Sequence, residues 1–229
     1  MARPDDMNHS SEEAAAAAQD TARHLLDIGA VNFRPEDPYT FTSGRVSPSY
    51  IDCRRVIAFP VAREAMTAHA VALIERDIGR DNIDVVAGGE TAGIPYAAFV
   101  AVALGKPMVY VRKEPKGFGR MAQIEGALED GARVLLVEDL TTDGGSKVRF
   151  VNALREAGAV VEHTYVVFHY GIFPESQTTM DELRVGLHAL ATWWDVLDVA
   201  RKQSLFSAEQ LDSVEGYLHD PDGWTPLSS

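Results

Sequence analysis

Residues 134–147 read VLLVEDLTTDGGSK. Apolar residues run into two acids, Glu138 and Asp139, and a loop of hydroxyls and glycines follows at once. Two adjacent carboxylates at the edge of a core cost desolvation free energy unless something uses them. The loop enters a predicted helix near Ser146, so hydroxyls and backbone N–H groups gather where a phosphate binds well. The order of a Walker A loop is absent, and an acidic capping turn is the alternative interpretation.

The composition sets limits on the function. The chain has 229 residues, a net charge of -13 and a single cysteine, Cys53. No global basic field exists to attract nucleic acid or an anionic membrane, and one cysteine allows no internal disulfide. No apolar run reaches the length of a transmembrane helix, and the acidic N-terminus has no secretory h-region. We therefore expect a cytoplasmic enzyme or regulator.

The pattern of apolar residues predicts the fold class. From residue 83 onward, short apolar strands alternate with helices, which predicts an α/β fold with a central, mostly parallel sheet covered on both faces. The predicted strands and helices of this part lie at residues 83–89, 92–105, 107–114, 132–139, 145–157 and 159–170.

The flanking segments are predicted with less regular structure. Residues 1–10 are predicted to be disordered, and Ser10 or Ser11 is expected to cap a helix that runs to about Ile28. Two short strands are expected within residues 39–57, around SGRVSP, and a helix over 61–77. Beyond residue 180, a short strand or helix, an amphipathic helix and a last helix capped by Ser207 are expected.

Two other segments follow predicted strands of this sheet, at the ends where ligands of open α/β sheets bind. AGGETAG at 87–93 permits close approach of backbone to a ligand, although an ordinary glycine turn would look the same. RKEPKGFGR at 112–120 places four cations in an acidic protein and suits a loop that closes over phosphates. A solvated charged loop is the alternative for this second segment.

Together these segments resemble a known family. VLLVEDLTTDGGSK resembles the phosphoribosyl pyrophosphate (PRPP) signature of type I phosphoribosyltransferases. FTSGRVSPSYID at 41–52 and VRKEPKGFG at 111–119 resemble the orotate phosphoribosyltransferases within that superfamily. The resemblance implies a type I phosphoribosyltransferase fold: residues 1–20 form a disordered or helical extension, and residues 21–229 form one domain. Residues of about 21–60, with C-terminal segments, are expected to form a small hood.

The resemblance also implies roles for individual residues. Glu138 and Asp139 are expected to contact the ribose hydroxyls of PRPP, and Thr142 to lie near the base. The phosphate-binding loop is implied to consist of Thr141, Thr142, Asp143, Gly144, Gly145 and Ser146. Pyrophosphate is implied to contact Gly89, Glu90, Thr91, Arg112, Lys113 and Lys116. Orotate is implied to contact Tyr50, Ile51 and Thr142, and the residues implied in catalysis are Lys113, Lys116 and Asp139.

The implied reaction converts orotate and PRPP into orotidine 5′-phosphate and pyrophosphate in pyrimidine biosynthesis. Mg²⁺ is the implied cofactor, held by pyrophosphate and ribose oxygens with no direct protein ligand. A homodimer is implied, in which the basic loop 112–126 reaches the partner's site. Neither nucleic acid nor a membrane is an expected partner.

The sequence departs from the family pattern at four positions. Thr42, Ala92 and Phe118 stand where the family often has two lysines and a histidine. VVFHYGIFPES lacks the arginine that the family often places near the carboxylate of orotate. Arg45, Arg54 or Arg55 could supply a charge instead. Two alternatives therefore stay open: a purine or uracil salvage phosphoribosyltransferase, and a PRPP-sensing regulator.

Overall fold

The computed structural model describes residues 4–41, 44–117, 119 and 122–228. The chain forms two compact units. The first comprises Met1–Arg63 and Ala191–Ser229, and the second comprises Glu64–Leu190. Assignment of residues 21–229 to one domain with a hood stays a prediction.

The helices and strands are numbered in chain order. The helices are α1 (Pro4–Asp27), α2 (Pro60–Asp77), α3 (Gly93–Leu104), α4 (Gly145–Glu156), α5 (Pro174–Leu183), α6 (Trp193–Gln203) and α7 (Ala208–His219). The strands are β1 (Val31–Phe33), β2 (Tyr39–Thr40), β3 (Val46–Ser47), β4 (Ser49–Ile51), β5 (Val85–Gly89), β6 (Met108–Val111), β7 (Ile124–Glu125), β8 (Arg133–Thr141), β9 (Val160–His169) and β10 (Gly186–Thr192). Two 3-10 helices cover Cys53–Ala58 and Arg80–Asn82.

A six-stranded sheet in the order β10-β9-β8-β5-β6-β7 confirms the predicted α/β class. The pairs β5–β6, β5–β8 and β8–β9 are parallel, whereas β7 runs antiparallel to its neighbour β6. The carboxyl ends of β5, β6 and β8 therefore lie along one edge of the sheet. Gly88 pairs with both Val137 and Tyr110, so the turn after β5 lies beside the acids that end β8.

The apolar strands are buried as their continuous hydrophobic runs predict. Residues 134–138 of β8 are all buried, and one apolar cluster joins Leu136 to Phe150, Val151 and Leu154 of α4. This packing holds the first turn of α4 directly beside the end of β8. The position of the loop between them, residues 142–144, is thereby fixed at both ends.

The first unit differs from expectation at its start. α1 begins at Pro4, so the disorder predicted for residues 1–10 is wrong for residues 4–10. Proline has a backbone angle suited to the first position of a helix, which accounts for a start at Pro4. The helix ends at Asp27, as predicted within one residue.

The other predicted elements of the first unit are found. β2 pairs with β3 and β4 pairs with β1, which gives the expected short strands around SGRVSP. Ser207 caps α7 and accepts a hydrogen bond from the Gln210 amide at 3.2 Å.

No helix among the described residues is both long enough and apolar enough to span a bilayer.

Candidate active site

The two acids near the carboxyl end of β8 differ in their surroundings, and the strand continues past them to Thr141. Glu138 is buried, forms an ion pair with Lys147 and accepts a hydrogen bond from Ser146 Oγ at 3.2 Å. Asp139 points to the other side of the strand and is half-buried. Burial raises the pKa of the Asp139 carboxyl, and the Glu138 charge raises it further, while the Lys147 ammonium acts in the opposite direction. Asp139 is thus protonated more easily than an ordinary aspartate.

Two glycines allow the turn after β5 to approach these acids. A Cβ on Gly93 would lie 2.5 Å from the Val137 carbonyl oxygen, and one on Gly89 would lie 2.7 Å from Glu138 Oε1. Contacts this short do not occur, so any side chain here would push β5 and α3 away from β8. The glycines of AGGETAG serve close packing against the acidic strand end.

Residues 141–146 run from the last residue of β8, through the loop 142–144, into the first turn of α4. Asp143 Oδ1 accepts the Gly145 amide at 3.0 Å, and the Asp143 carbonyl accepts a hydrogen bond from Thr179 Oγ1 at 3.2 Å. Thr141 Oγ1 is buried and has no hydrogen-bond partner within the described residues. The loop thus presents hydroxyls and amides at a helix N-terminus, as the sequence predicts. The protein's own carboxylates accept three of these donors, Thr142 Oγ1, Gly145 N and Ser146 Oγ.

The turn after β5 also contacts the basic segment after β6. Glu90 Oε2 accepts the Lys113 amide at 2.7 Å, and the Glu90 amide donates to the Val111 carbonyl at 2.9 Å. The Glu90–Thr91 peptide bond is cis. Glu90 therefore connects, through hydrogen bonds, the turn that is predicted to bind pyrophosphate with the start of the basic loop.

The basic loop is the connection between β6 and β7. Arg112 lies 3.5 Å from Glu125 Oε1, and its amide donates to the Gln123 carbonyl at 2.8 Å. Lys113 and Lys116 are exposed. Of the predicted loop 112–126, residues 118, 120 and 121 lie outside the described residues, and with them the departure at Phe118.

The residues predicted to border orotate belong to both compact units. Ile51 is buried in β4 opposite Val31, and the Tyr50 ring lies 5.2 Å from the Tyr39 ring. These two belong to the first unit, whereas Thr142 belongs to the second. Their meeting at one site stays a prediction.

The arginines considered as substitutes for missing cations contact their own unit. Arg45 lies 3.5 Å from Asp222, Arg54 Nε donates to Asp52 at 2.6 Å, and Arg55 Nε donates to the Ile28 carbonyl at 3.1 Å. Thr42 lies outside the described residues. Ala92 occupies the residue before α3 and provides no charge.

Comparison with known proteins agrees with this arrangement. Residues 62–182 match the phosphoribosyl transferase domain family. The chain is 56% identical to an orotate phosphoribosyltransferase of Ruegeria sp. (strain TM1040) over 215 residues, which are 94% of each protein. The chain belongs to the orotate phosphoribosyltransferase family.

Solved structures are similar to this chain over most of its length. Orotate phosphoribosyltransferase from Aeropyrum pernix is 31% identical, with a TM-score of 0.68 over 81% of this chain and 99% of that one. UMP synthase of Leishmania donovani is 27% identical with a TM-score of 0.75, and the match covers 88% of this chain and 42% of that longer one. As an orotate phosphoribosyltransferase, the chain is a pentosyltransferase with the type I fold that the sequence predicts.

The sequence-based prediction assigned no role to Lys147, the last residue of the PRPP signature at 134–147. Lys147 is fully buried against Glu138, and its Nζ donates to the Leu140 carbonyl at 2.8 Å. Helical spacing was the available signal, because residues 147, 150, 151 and 154 share one face of α4 and the other three are apolar.

Proposed function

We propose that the chain transfers ribose 5-phosphate from PRPP to orotate, giving orotidine 5′-phosphate and pyrophosphate for pyrimidine synthesis. One observation carries the site assignment. The acids Glu138 and Asp139, the loop of residues 141–146 and the turn of residues 89–91 gather at one edge of the sheet, beside the basic loop. Sugar hydroxyls, a phosphate and a pyrophosphate need these three kinds of group.

Each segment has its own proposed substrate contact. Glu138 and Asp139 accept hydrogen bonds from the ribose hydroxyls, and residues 141–146 bind the 5′-phosphate at the N-terminus of α4. Residues 89–91 with Arg112, Lys113 and Lys116 bind pyrophosphate. Tyr50, Ile51 and Thr142 border orotate.

The proposed chemistry demands little covalent work from the protein. A ring nitrogen of orotate forms a bond to ribose C1 as the bond from C1 to the pyrophosphate oxygen breaks. The electron pair of the broken bond leaves with pyrophosphate, and the proton of the ring N–H passes to water or to pyrophosphate. The protein positions the two reactants and neutralises charge on the leaving group. Lys113 and Lys116 are exposed, on a segment that can close over pyrophosphate and exclude water.

Mg²⁺ is the proposed cofactor. It prefers oxygen ligands and few protein groups, and the Asp139 carboxylate offers oxygens at the strand end. No cluster of three or more His, Cys, Asp or Glu side chains within the described ranges is arranged to hold a metal, so we propose that Mg²⁺ enters with PRPP. When bound, it would offset charge on pyrophosphate, and Glu138 and Asp139 would contact it only through ribose or water.

We propose that the protein acts as a homodimer in the cytoplasm. α3 carries no charged residue, and Val102 on its outer face is 83% exposed, which suits burial against a second copy. The basic loop 112–126 would then reach the partner's site. A single cysteine, buried in the fold, calls for no oxidising compartment.

Subunit mixing tests the shared site. At a PRPP concentration well below KM, Lys116→Ala and Asp139→Asn chains are each expected to keep only a small fraction of wild-type activity as homodimers. If the loop acts across the interface, a mixed dimer contains one intact site, so an equal mixture recovers about a quarter of wild-type activity. Recovery no greater than that of either variant mixed with itself would show that each loop serves its own subunit.

The reaction itself is tested by following orotate absorbance with Mg²⁺ and PRPP, with uracil and hypoxanthine in parallel. PRPP-dependent loss of orotate alone is the expected result. Consumption of another base would assign the protein to salvage, and PRPP binding without turnover of any base would assign it to regulation.

A further inference from the structure

Lys147 is a lysine with no exposed side-chain surface, near the start of α4. Its neighbours on that helix face, Phe150, Val151 and Leu154, belong to the buried apolar face. A buried ammonium costs free energy unless an anion and hydrogen-bond acceptors compensate, and an apolar side chain would fill the same space without that cost. The charge at this position therefore calls for a role.

The contacts of Lys147 join three parts of the site. Its Nζ forms an ion pair with Glu138 Oε2 and donates to the Leu140 carbonyl at 2.8 Å. Its backbone amide donates to the Gly144 carbonyl at 2.9 Å. One residue thus connects the acidic end of β8, the phosphate loop and the first turn of α4.

Glu138 is held from two directions. Lys147 and Ser146 contact its Oε2, whereas Oε1 faces Gly89 so closely that an added Cβ would lie 2.7 Å away. Rotation of the Glu138 carboxylate would break the contacts of Oε2 with Lys147 and Ser146, or would bring Oε1 too close to Gly89. Its orientation therefore depends on the ammonium that anchors Oε2.

We propose that Lys147 is a positioning residue for PRPP, which acts through Glu138 and the Leu140 carbonyl to fix the carboxylate and the strand end that bind the ribose. This inference rests on the proposed function. Lys147 also offsets one of the two negative charges that Glu138 and Asp139 bring to a site for a polyanion.

Lys147→Met tests the proposal, with Val151→Ala as the matched control. Val151 is buried one turn further along the same face of α4 and belongs to the apolar core cluster, so its truncation is expected to lower stability without changing the ribose site. PRPP binding is measured by titration calorimetry with Mg²⁺, and both melting temperatures are recorded. We expect Lys147→Met to weaken PRPP binding by about tenfold or more, and to raise KM for PRPP more than it lowers kcat. The control should bind PRPP as wild type does.

A double-variant cycle separates positioning from general stability. If Lys147 acts largely through Glu138, adding Lys147→Met to Glu138→Gln weakens PRPP binding by a smaller factor than Lys147→Met does in the wild-type chain. Full additivity of the two effects would overturn the proposal, and so would an equal loss of affinity in Val151→Ala. Lys147→Gln, which removes the charge but keeps an N–H donor, replaces Lys147→Met if that variant does not fold, with the same expected weakening.

The PRPP titrations, together with the assay of base consumption, distinguish failure of the proposed function from failure of the role proposed for Lys147. Wild type that binds no PRPP would overturn both the proposed function and the role of Lys147. Wild type that binds PRPP but consumes another base would overturn only the choice of orotate. PRPP affinity unchanged by Lys147→Met would overturn only the positioning role.

Discussion

Strand β8 has a charged pair near each end, and the two pairs differ in burial rather than in the quality of their contacts. At the amino end, Arg133 donates to the two carboxylate oxygens of Asp84 at 2.7 and 2.9 Å, and both side chains are more than 40% exposed. At the carboxyl end, Lys147 and Glu138 have side-chain exposures of 0% and 9%.

The difference teaches that hydrogen-bond geometry alone does not mark a functional site. An exposed pair is screened by water and contributes little to stability, whereas a buried pair has lost its hydration and becomes costly to break. A protein keeps such a pair where an apolar pair would serve the fold, so a buried charge indicates a need for that charge. We therefore expect variants at the carboxyl end of the sheet to lose activity, and variants at the amino end to lose stability only.

The largest effect is expected from Lys116, in the basic loop at the carboxyl edge. Lys116→Ala should lower kcat by about 100-fold, because a cation that stabilises the leaving group acts in the transition state. The melting temperature should stay near that of wild type, since this side chain is exposed. Lys202→Ala, at an exposed lysine of α6, is the control. Parallel losses of activity and melting temperature would contradict a catalytic role.

A smaller effect is expected from Asp139. Asp139→Asn should weaken PRPP binding by about tenfold, the usual order for a hydrogen bond to a charged acceptor. Because burial raises the Asp139 pKa, the wild-type carboxylate accepts a proton at a higher pH than an ordinary aspartate does. Affinity of wild type for PRPP should thus fall as pH falls through that pKa, and the variant should lose this dependence. Titration calorimetry with PRPP at pH values across the acid range measures this dependence. Unchanged binding heats for Asp139→Asn at neutral pH would exclude a role of Asp139 in PRPP binding.

The sequence predicts the carboxyl end of β8 better than the surroundings of its charges. Apolar runs, glycines and the hydroxyl loop identify β5, β8 and the start of α4, since each depends on neighbours in the chain. Strand β7 was missed because two residues, Ile124 and Glu125, become a strand only through their pairing with β6. Lys147 was missed because its ion pair depends on how α4 packs beside β8.

The amino end shows the same limit. His163 Nδ1 and His188 Nε2 lie 3.1 Å apart although 25 residues separate them, because β10 lies beside β9 in the sheet. Nothing in the local sequence states that sheet order.

Helix α5 was also missed, and its Ser176 lies 3.0 Å from His169 Nε2 at the carboxyl end of β9.

The histidine pair should affect stability and not activity. Burial lowers the His188 pKa and the neighbouring His163 lowers it further, while Asp77 opposes the shift. The folded state therefore binds fewer protons than the unfolded one. This contribution is fully present above the ordinary histidine pKa of about 6.5 and is lost as pH falls through the lowered value. His188→Asn should flatten the rise of melting temperature with pH in this window, unlike His219→Asn in α7. A change in kcat of His188→Asn at neutral pH would contradict the expectation that variants at the amino end of the sheet affect stability only.

The smallest effect is expected from the exposed pair of β8. Arg133 holds the Asp84 pKa well below its usual range through hydrogen bonds and charge. The stability that the pair adds is therefore present above the unfolded aspartate pKa of about 3.9 and is lost as pH falls through the lower folded value. Asp84→Asn should reduce the melting temperature slightly at neutral pH, less in high salt, and leave PRPP affinity unchanged. If it instead matched Lys147→Met in its loss of PRPP affinity, burial would not be what distinguishes the two ends of the strand.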